Sequence, residues 1–120
     1  MKVQVYQIPE VHTTPGNDAT LLCTYNISGE VDLSTGSYKW YRHLVNNELE
    51  VSNNVKEYTG RISTVDTDKF INRLAHITIH NVDPTDTGIY YCEVTFQHVG
   101  EIRDHGAGTL LNVTGKVRKS

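Results

Sequence analysis

Apolar residues recur at every second position in short runs along the chain, and clusters of Gly, Pro, Asn, Asp and Ser separate the runs. That period turns one side of an extended strand toward a core and the other toward water. "ATLLCTY" aligns Ala19, Leu21 and Cys23; "SYKWYRHL" aligns Tyr38, Trp40 and Arg42. "LAHITIHNV" aligns Ala75, Ile77 and Ile79, with Val82 closing the run. "GIYYCEVTF" aligns Tyr90, Cys92, Val94 and Phe96, and "GTLLNV" aligns Thr109, Leu111 and Val113. "VQVYQI" opens the chain with β-formers. Short strands at this spacing predict an all-β sandwich or barrel. The segment "HVGEIRDHGAG" after the second cysteine is the least regular and reads as a long loop.

Composition narrows the class. A chain of 120 residues forms one compact domain, and its 38% hydrophobic and 21% charged residues fit neither disorder nor a membrane span. No run approaches the roughly 18 apolar residues that a bilayer crossing needs. The opening "MKVQVYQIPE" lacks the apolar stretch of a secretion signal. A net charge of −3 without a basic block argues against a nucleic-acid partner. Two cysteines, Cys23 and Cys92, are compatible with free thiols or with a bridge. Sequons at Asn26 and Asn112 mark candidate glycosylation sites and lean toward the secretory route, where a bridge forms. The domain proper covers 1–114, and the polar, basic tail 115–120 reads as the start of a stalk or linker.

The stretch "DPTDTGIYYC" supplies the decisive pattern. Cys23, Trp40 seventeen residues later, and Tyr90-x-Cys92 occur in that order on runs of matching parity. The combination resembles the immunoglobulin fold, in which a disulfide joins two sheets, an indole packs on it, and a tyrosine hydroxyl bonds backbone upstream. The resemblance implies a Cys23–Cys92 bridge between the sheets and scaffold roles for Trp40 and Tyr90. Arg61 and Asp86 resemble the pair that closes one end of variable-type domains, and Gly88 fits a backbone position that rejects a side chain. The cysteines stand 69 positions apart (92 − 23), which leaves room for the extra C′ and C″ strands of the variable type.

"GAGTLLNV" resembles strand G of antigen-receptor joining segments. The aromatic residue usual before the first glycine is replaced by His105, and His43 stands where a glutamine is frequent; both changes count against an obligate antibody-like heterodimer. "QIPEVHTTPGNDATLLC", "GSYKWYRHLVNNELEV", "YTGRI" and "GIYYCEV" resemble the V-type ectodomains of the natural cytotoxicity receptors of natural killer cells. That resemblance implies an extracellular recognition domain that binds a protein ligand of the B7-like class on another cell. It also implies a membrane anchor and a signalling adaptor outside this chain, with the domain itself a monomer or weak homodimer. The expected binding surface is the front sheet, strands G, F, C and C′, with the F–G loop at 97–104. Its candidate residues are Tyr41 and His43 on strand C, Glu93, Thr95 and Phe96 on strand F, and Val99, Ile102 and Arg103 in the loop. Two rival readings use the same fold: an antigen-receptor-type or primordial V–J domain, and a homophilic adhesion domain.

No enzyme is expected, because the chain has no nucleophile motif such as G-x-S-x-G and hence no catalytic candidate. No cofactor is implied. His76 and His80 are spaced for one helical face, but four residues along a strand span about 13 Å, too far to share a metal. His43, His98 and His105 are expected as solvated histidines; gathered on the front sheet they would instead make binding sensitive to pH.

Overall fold

In a computed structural model, residues 2–97 and 100–115 are described, and they form strands with little helix. In chain order the strands are β1 (Lys2–Gln7), β2 (Glu10–Thr13), β3 (Ala19–Leu21), β4 (Cys23–Ser28), β5 (Ser37–His43) and β6 (Glu48–Glu50). They continue as β7 (Ile62–Thr64), β8 (Ile77–Ile79), β9 (Gly88–Gln97), β10 (Glu101–His105) and β11 (Thr109–Val113), with one short helix, α1 (Thr67–Ile71).

Two layers face each other. The front sheet runs β2-β11-β9-β5-β6, and β10 also pairs with β9; the back layer holds β1-β4 and β3-β8-β7. The first strand belongs to the back layer and the second to the front, so the chain changes sheets at Ile8 and Pro9. The change is tied on both sides: Ile8 N–H donates to the Leu22 carbonyl, and Leu110 N–H donates to the Pro9 carbonyl. The alternate positions read from the sequence face inward, and Leu21, Cys23, Trp40, Ile77, Ile79, Tyr90, Cys92, Val94, Phe96 and Leu111 are buried. Of the sandwich and barrel that the periodicity allows, the fold is the two-sheet sandwich implied by the immunoglobulin resemblance, closed by a Cys23–Cys92 disulfide.

Around the bridge, the Trp40 indole N–H donates to the Ala75 carbonyl at 2.9 Å, and Ala75 N–H donates to the Cys23 carbonyl at 2.9 Å. One end of the core is aromatic: Phe70 of α1 sits 5.0 Å from Tyr25, 5.7 Å from Tyr38 and 5.8 Å from Phe96, centroid to centroid. The other end is polar. Arg61 grips the Asp86 carboxylate through both terminal nitrogens, at 2.8 and 3.0 Å. Tyr90 donates to the Asp86 carbonyl at 2.6 Å, so its oxygen must accept from Tyr58 at 3.1 Å. Burial pushes the Tyr90 phenol far above its ordinary range. Arg42 donates to the carbonyls of Thr85 and Thr87, both at 2.8 Å. A Cβ on Gly88 would stand 2.9 Å from Arg42 Nε, so a side chain there displaces that guanidinium.

The gap between β9 and β11 is filled by one side chain. Gln7 donates to the Tyr90 carbonyl and the Thr109 hydroxyl, at 3.0 and 2.9 Å, and accepts from Cys92 N–H and Gly108 N–H at 3.1 and 3.2 Å. Its four bonds use the full capacity of a carboxamide. They require Gly106, where a Cβ would lie 2.3 Å from the Gln7 amide oxygen.

Two expectations are corrected. No C″ strand forms among the described residues, since 51–60 is a series of turns. The Asn53 carboxamide takes the place of a neighbouring strand, accepting from Ile62 N–H at 3.1 Å and donating to the Ile62 carbonyl at 2.9 Å. Buried Val51 and Tyr58 anchor the segment. The segment after Gln97, expected as a loop, returns as β10 and pairs with β9 from Glu101↔Gln97 to His105↔Glu93. The reading of 115–120 as a stalk lies almost wholly outside the described residues.

Three outcomes are expected for stability. Gln7→Leu strands buried backbone donors and should lower the unfolding free energy by about 3 kcal/mol in urea titration. Replacing both cysteines by alanine frees a loop of 69 residues and should cost about 4 kcal/mol by the same measurement. His76 accepts a hydrogen bond from Cys23 N–H at 2.8 Å, and burial, with Lys69 adding to it, holds its pKa below the ordinary 6.5. The unfolded chain therefore binds the proton first. Stability should be full above about pH 6.5 and fall as acid is added through the depressed folded value, and His76→Gln should flatten that limb.

Candidate ligand-binding face

The outward side chains of β5, β6, β9 and β10 share one face of the front sheet, and strand register decides which of them meet. Tyr41 lies opposite Tyr91, and Lys39 opposite Glu93. His43 lies opposite Glu48 across the β5–β6 turn. Glu93 lies opposite His105, and Thr95 opposite Arg103. Tyr41, His43, Glu48, Tyr91, Glu93 and His105 line a shallow depression of about 190 Å³. Tyr91 is flanked edge-on by two imidazoles, His43 at 6.4 Å and His105 at 5.6 Å between centroids. His105 Nδ1 lies 2.7 Å from the Gly106 carbonyl, which can only accept, so Nδ1 carries the hydrogen and Nε2 is left as an acceptor when the ring is neutral.

Electrostatics divides the face. Lys39 pairs with Glu50 at 3.4 Å, and Arg103 with Glu101 at 3.5 Å. A hydrogen bond from Ser52 lowers the Glu50 pKa, and Lys39 adds to it. Glu48 and Glu93 have no ion-pair partner among the described residues. Burial first, and the Glu93 charge next, push the Tyr41 phenol above its ordinary range.

The expected site residues separate into groups. Tyr41, His43, Glu93, Thr95 and Arg103 stand on the outward face, on elements of one sheet. Phe96 is corrected: it is wholly buried, 5.6 Å from Tyr25, because it shares the inward parity of Tyr90, Cys92 and Val94. Ile102 is corrected as an exposed anchor, since it pairs with Phe96 in register and packs half-buried against the core. Val99 and His98 lie outside the described residues. Glu48 was not anticipated, although counting outward from the "LVNN" turn places it against His43. Asn26 is exposed on β4, opposite Gln4, whereas Asn112 is half-buried on β11, opposite His12.

A second constellation escaped motif reading because its members are distant in sequence. Ser63 Oγ lies 2.7 Å from His80 Nε2, and His80 Nδ1 lies 3.0 Å from Asp18. This is the connectivity of a hydrolase triad. The serine, however, is exposed on β7, and the Asp18 and His80 side chains are 58% and 40% accessible, so water reaches every member. The chain ties the start of β3 to the β7–β8 edge. Among the described residues no group of three His, Cys, Asp or Glu is placed to hold a metal.

The family profile described as immunoglobulin V-set domain matches residues 7–114. Natural cytotoxicity triggering receptor 3 of Macaca fascicularis is 35% identical over 121 residues, 89% of this chain and 68% of that receptor. Its Homo sapiens counterpart is 34% identical, with 91% of this chain and 53% of the receptor covered. The chain therefore spans between about half and two thirds of these receptors. Tyrosine-protein phosphatase non-receptor type substrate 1 of Mus musculus is 36% identical over 88% of this chain and 21% of its own length. Among solved structures, murine CRIg superposes with a TM-score of 0.73 at 16% identity, covering 96% of this chain and all of that one, a likeness of fold.

The parity argument has a direct test. Phe96→Ala should cost about 4 kcal/mol of unfolding free energy, as expected for an emptied core site, whereas Thr95→Ala should stay within about 0.5 kcal/mol. Equal small effects would place both residues on the surface.

Proposed function

The chain belongs to the immunoglobulin V-set family, and from that membership we propose that it is the extracellular ligand-recognition domain of an immune cell-surface receptor. V-set domains of this kind are binding modules and not enzymes. The similarity to natural cytotoxicity triggering receptor 3 over 89% of the chain carries the reading. In this reading the ligand is a protein of the B7-like class on another cell, held by the outward residues Lys39, Tyr41, His43, Glu93, Thr95 and Arg103. The remainder of the receptor supplies a membrane anchor and an adaptor contact. The rigid β5–β9 pairing supports this use of the face, since a preordered surface loses little entropy on binding.

One observation favours a second reading. Ile89 and Leu110 are register partners on the outer side of the same sheet and remain 42% and 37% exposed. They offer a small apolar patch for self-association. In the primary reading the domain is a monomer at micromolar concentration with at most a weak dimer.

Tetramers of the domain should stain ligand-bearing cells. Thr95→Arg on the front sheet should reduce staining by about tenfold or more, and Thr20→Arg on the back layer should leave it unchanged; the reverse pattern would move the site to the back layer. Sedimentation equilibrium decides the second reading. A dimer at micromolar concentration that Ile89→Arg dissociates would make homophilic adhesion the better account.

A further inference from the structure

The front-sheet depression holds more carboxylate than counter-charge, and we propose that it receives a basic side chain, an arginine or lysine, presented by the protein ligand. The inference rests on the reading of this face as the ligand-binding surface and specifies what the surface recognises.

The register makes the depression a ring. Tyr41 and Tyr91 form its floor as cross-strand partners, His43 and Glu48 form one wall, and Glu93 and His105 form the other. Each wall therefore holds one carboxylate beside one imidazole. Lys39 is paired with Glu50 and Arg103 with Glu101, while Glu48 and Glu93 form no ion pair among the described residues. Lys39 also stands across from Glu93, but its single charge is shared with Glu50, so the face keeps an excess of carboxylate. Between them lie phenol rings whose π faces attract a cation within about 6 Å of the ring centre. The acceptor Nε2 of neutral His105 completes a lining that offers acceptors to a donor-rich group. Guanidinium has five donors and no acceptor, so it can meet the carboxylate of one wall while its plane rests against a phenol ring.

The local electrostatics agrees with this placement. The Tyr41 phenol resists ionisation because it is partly buried and faces the Glu93 charge. A cation held there would offset the carboxylate charge that Glu93, Glu50 and Glu48 direct at Tyr41. The volume of about 190 Å³ and the shallow form suit one side-chain head rather than a free small molecule held on all sides.

The experiment is a nuclear magnetic resonance titration of the isotopically labelled domain with N-acetyl-arginine methylamide. N-acetyl-citrulline methylamide, equal in shape and uncharged, is the comparator. Saturable shifts should appear at Tyr41, Tyr91, Glu93 and His105, with a dissociation constant on the order of millimolar. Citrulline should produce none. Glu93→Gln and Glu48→Gln should each weaken binding by about fivefold, while Glu101→Gln, outside the ring, should not. Absence of saturable shifts, equal response to citrulline, or indifference to Glu93→Gln overturns the proposal. If arginine does not bind but Thr95→Arg still abolishes cell staining, the face remains in use and the basic guest is discarded. If both fail, the reading of the face fails with it.

Discussion

One strand holds the molecule together, and its inward column of side chains explains why. Strand β9 pairs with β5, β10 and β11, and its Cys92 is bonded to Cys23 of the back layer. Tyr90, Cys92, Val94 and Phe96 then enter the polar end, the bridge, the centre and the aromatic end of the core in succession. A slip of one residue in this strand would expose the whole column and bury Tyr91, Glu93 and Thr95. The disulfide forbids that slip covalently, and the Trp40 indole, bonded to Ala75, orders the side of the bridge that faces β8.

Burying polar groups around this column demands close pairing, and the structure meets the demand with side chains in place of strands. Gln7 completes the bonding of β9 where β11 diverges, and Asn53 completes that of Ile62 where no C″ strand runs. At the lower end, Arg61, Asp86, Tyr90 and Tyr58 pass hydrogen bonds from one to the next. Removing one member of such a network leaves its neighbours desolvated and unpaired, a larger penalty than the bond itself contributes.

The rigidity so obtained is what suits the outer face for recognition. Its side chains project from the opposite parity of the same strands, so the packing that orders Tyr90 and Cys92 also orders Tyr91 and Glu93. The back layer is organised differently: its Ser63, His80 and Asp18 side chains bond to one another. The front face, in contrast, keeps Glu48 and Glu93 without an ion pair among the described residues, beside cross-strand tyrosines.

The strand positions and inward residues were legible from the chain because a period of two is a local property, set by backbone geometry and not by what packs on it. Cys23, Trp40 and Tyr90-x-Cys92 identified the sandwich because each sits on a run of matching parity. Non-local geometry decided the rest. Irregular composition made 101–105 look like a loop, yet pairing with β9 draws it into a strand and turns Ile102 inward against the core. Chain length suggested a C″ strand, but one carboxamide at Asn53 satisfies the edge that strand would have covered. The opposition of Tyr41 to Tyr91, of His43 to Glu48 and of Glu93 to His105 appears only after four strands fall into register. Local alternation determines which side of a strand a residue faces; tertiary pairing alone determines which residue stands across from it.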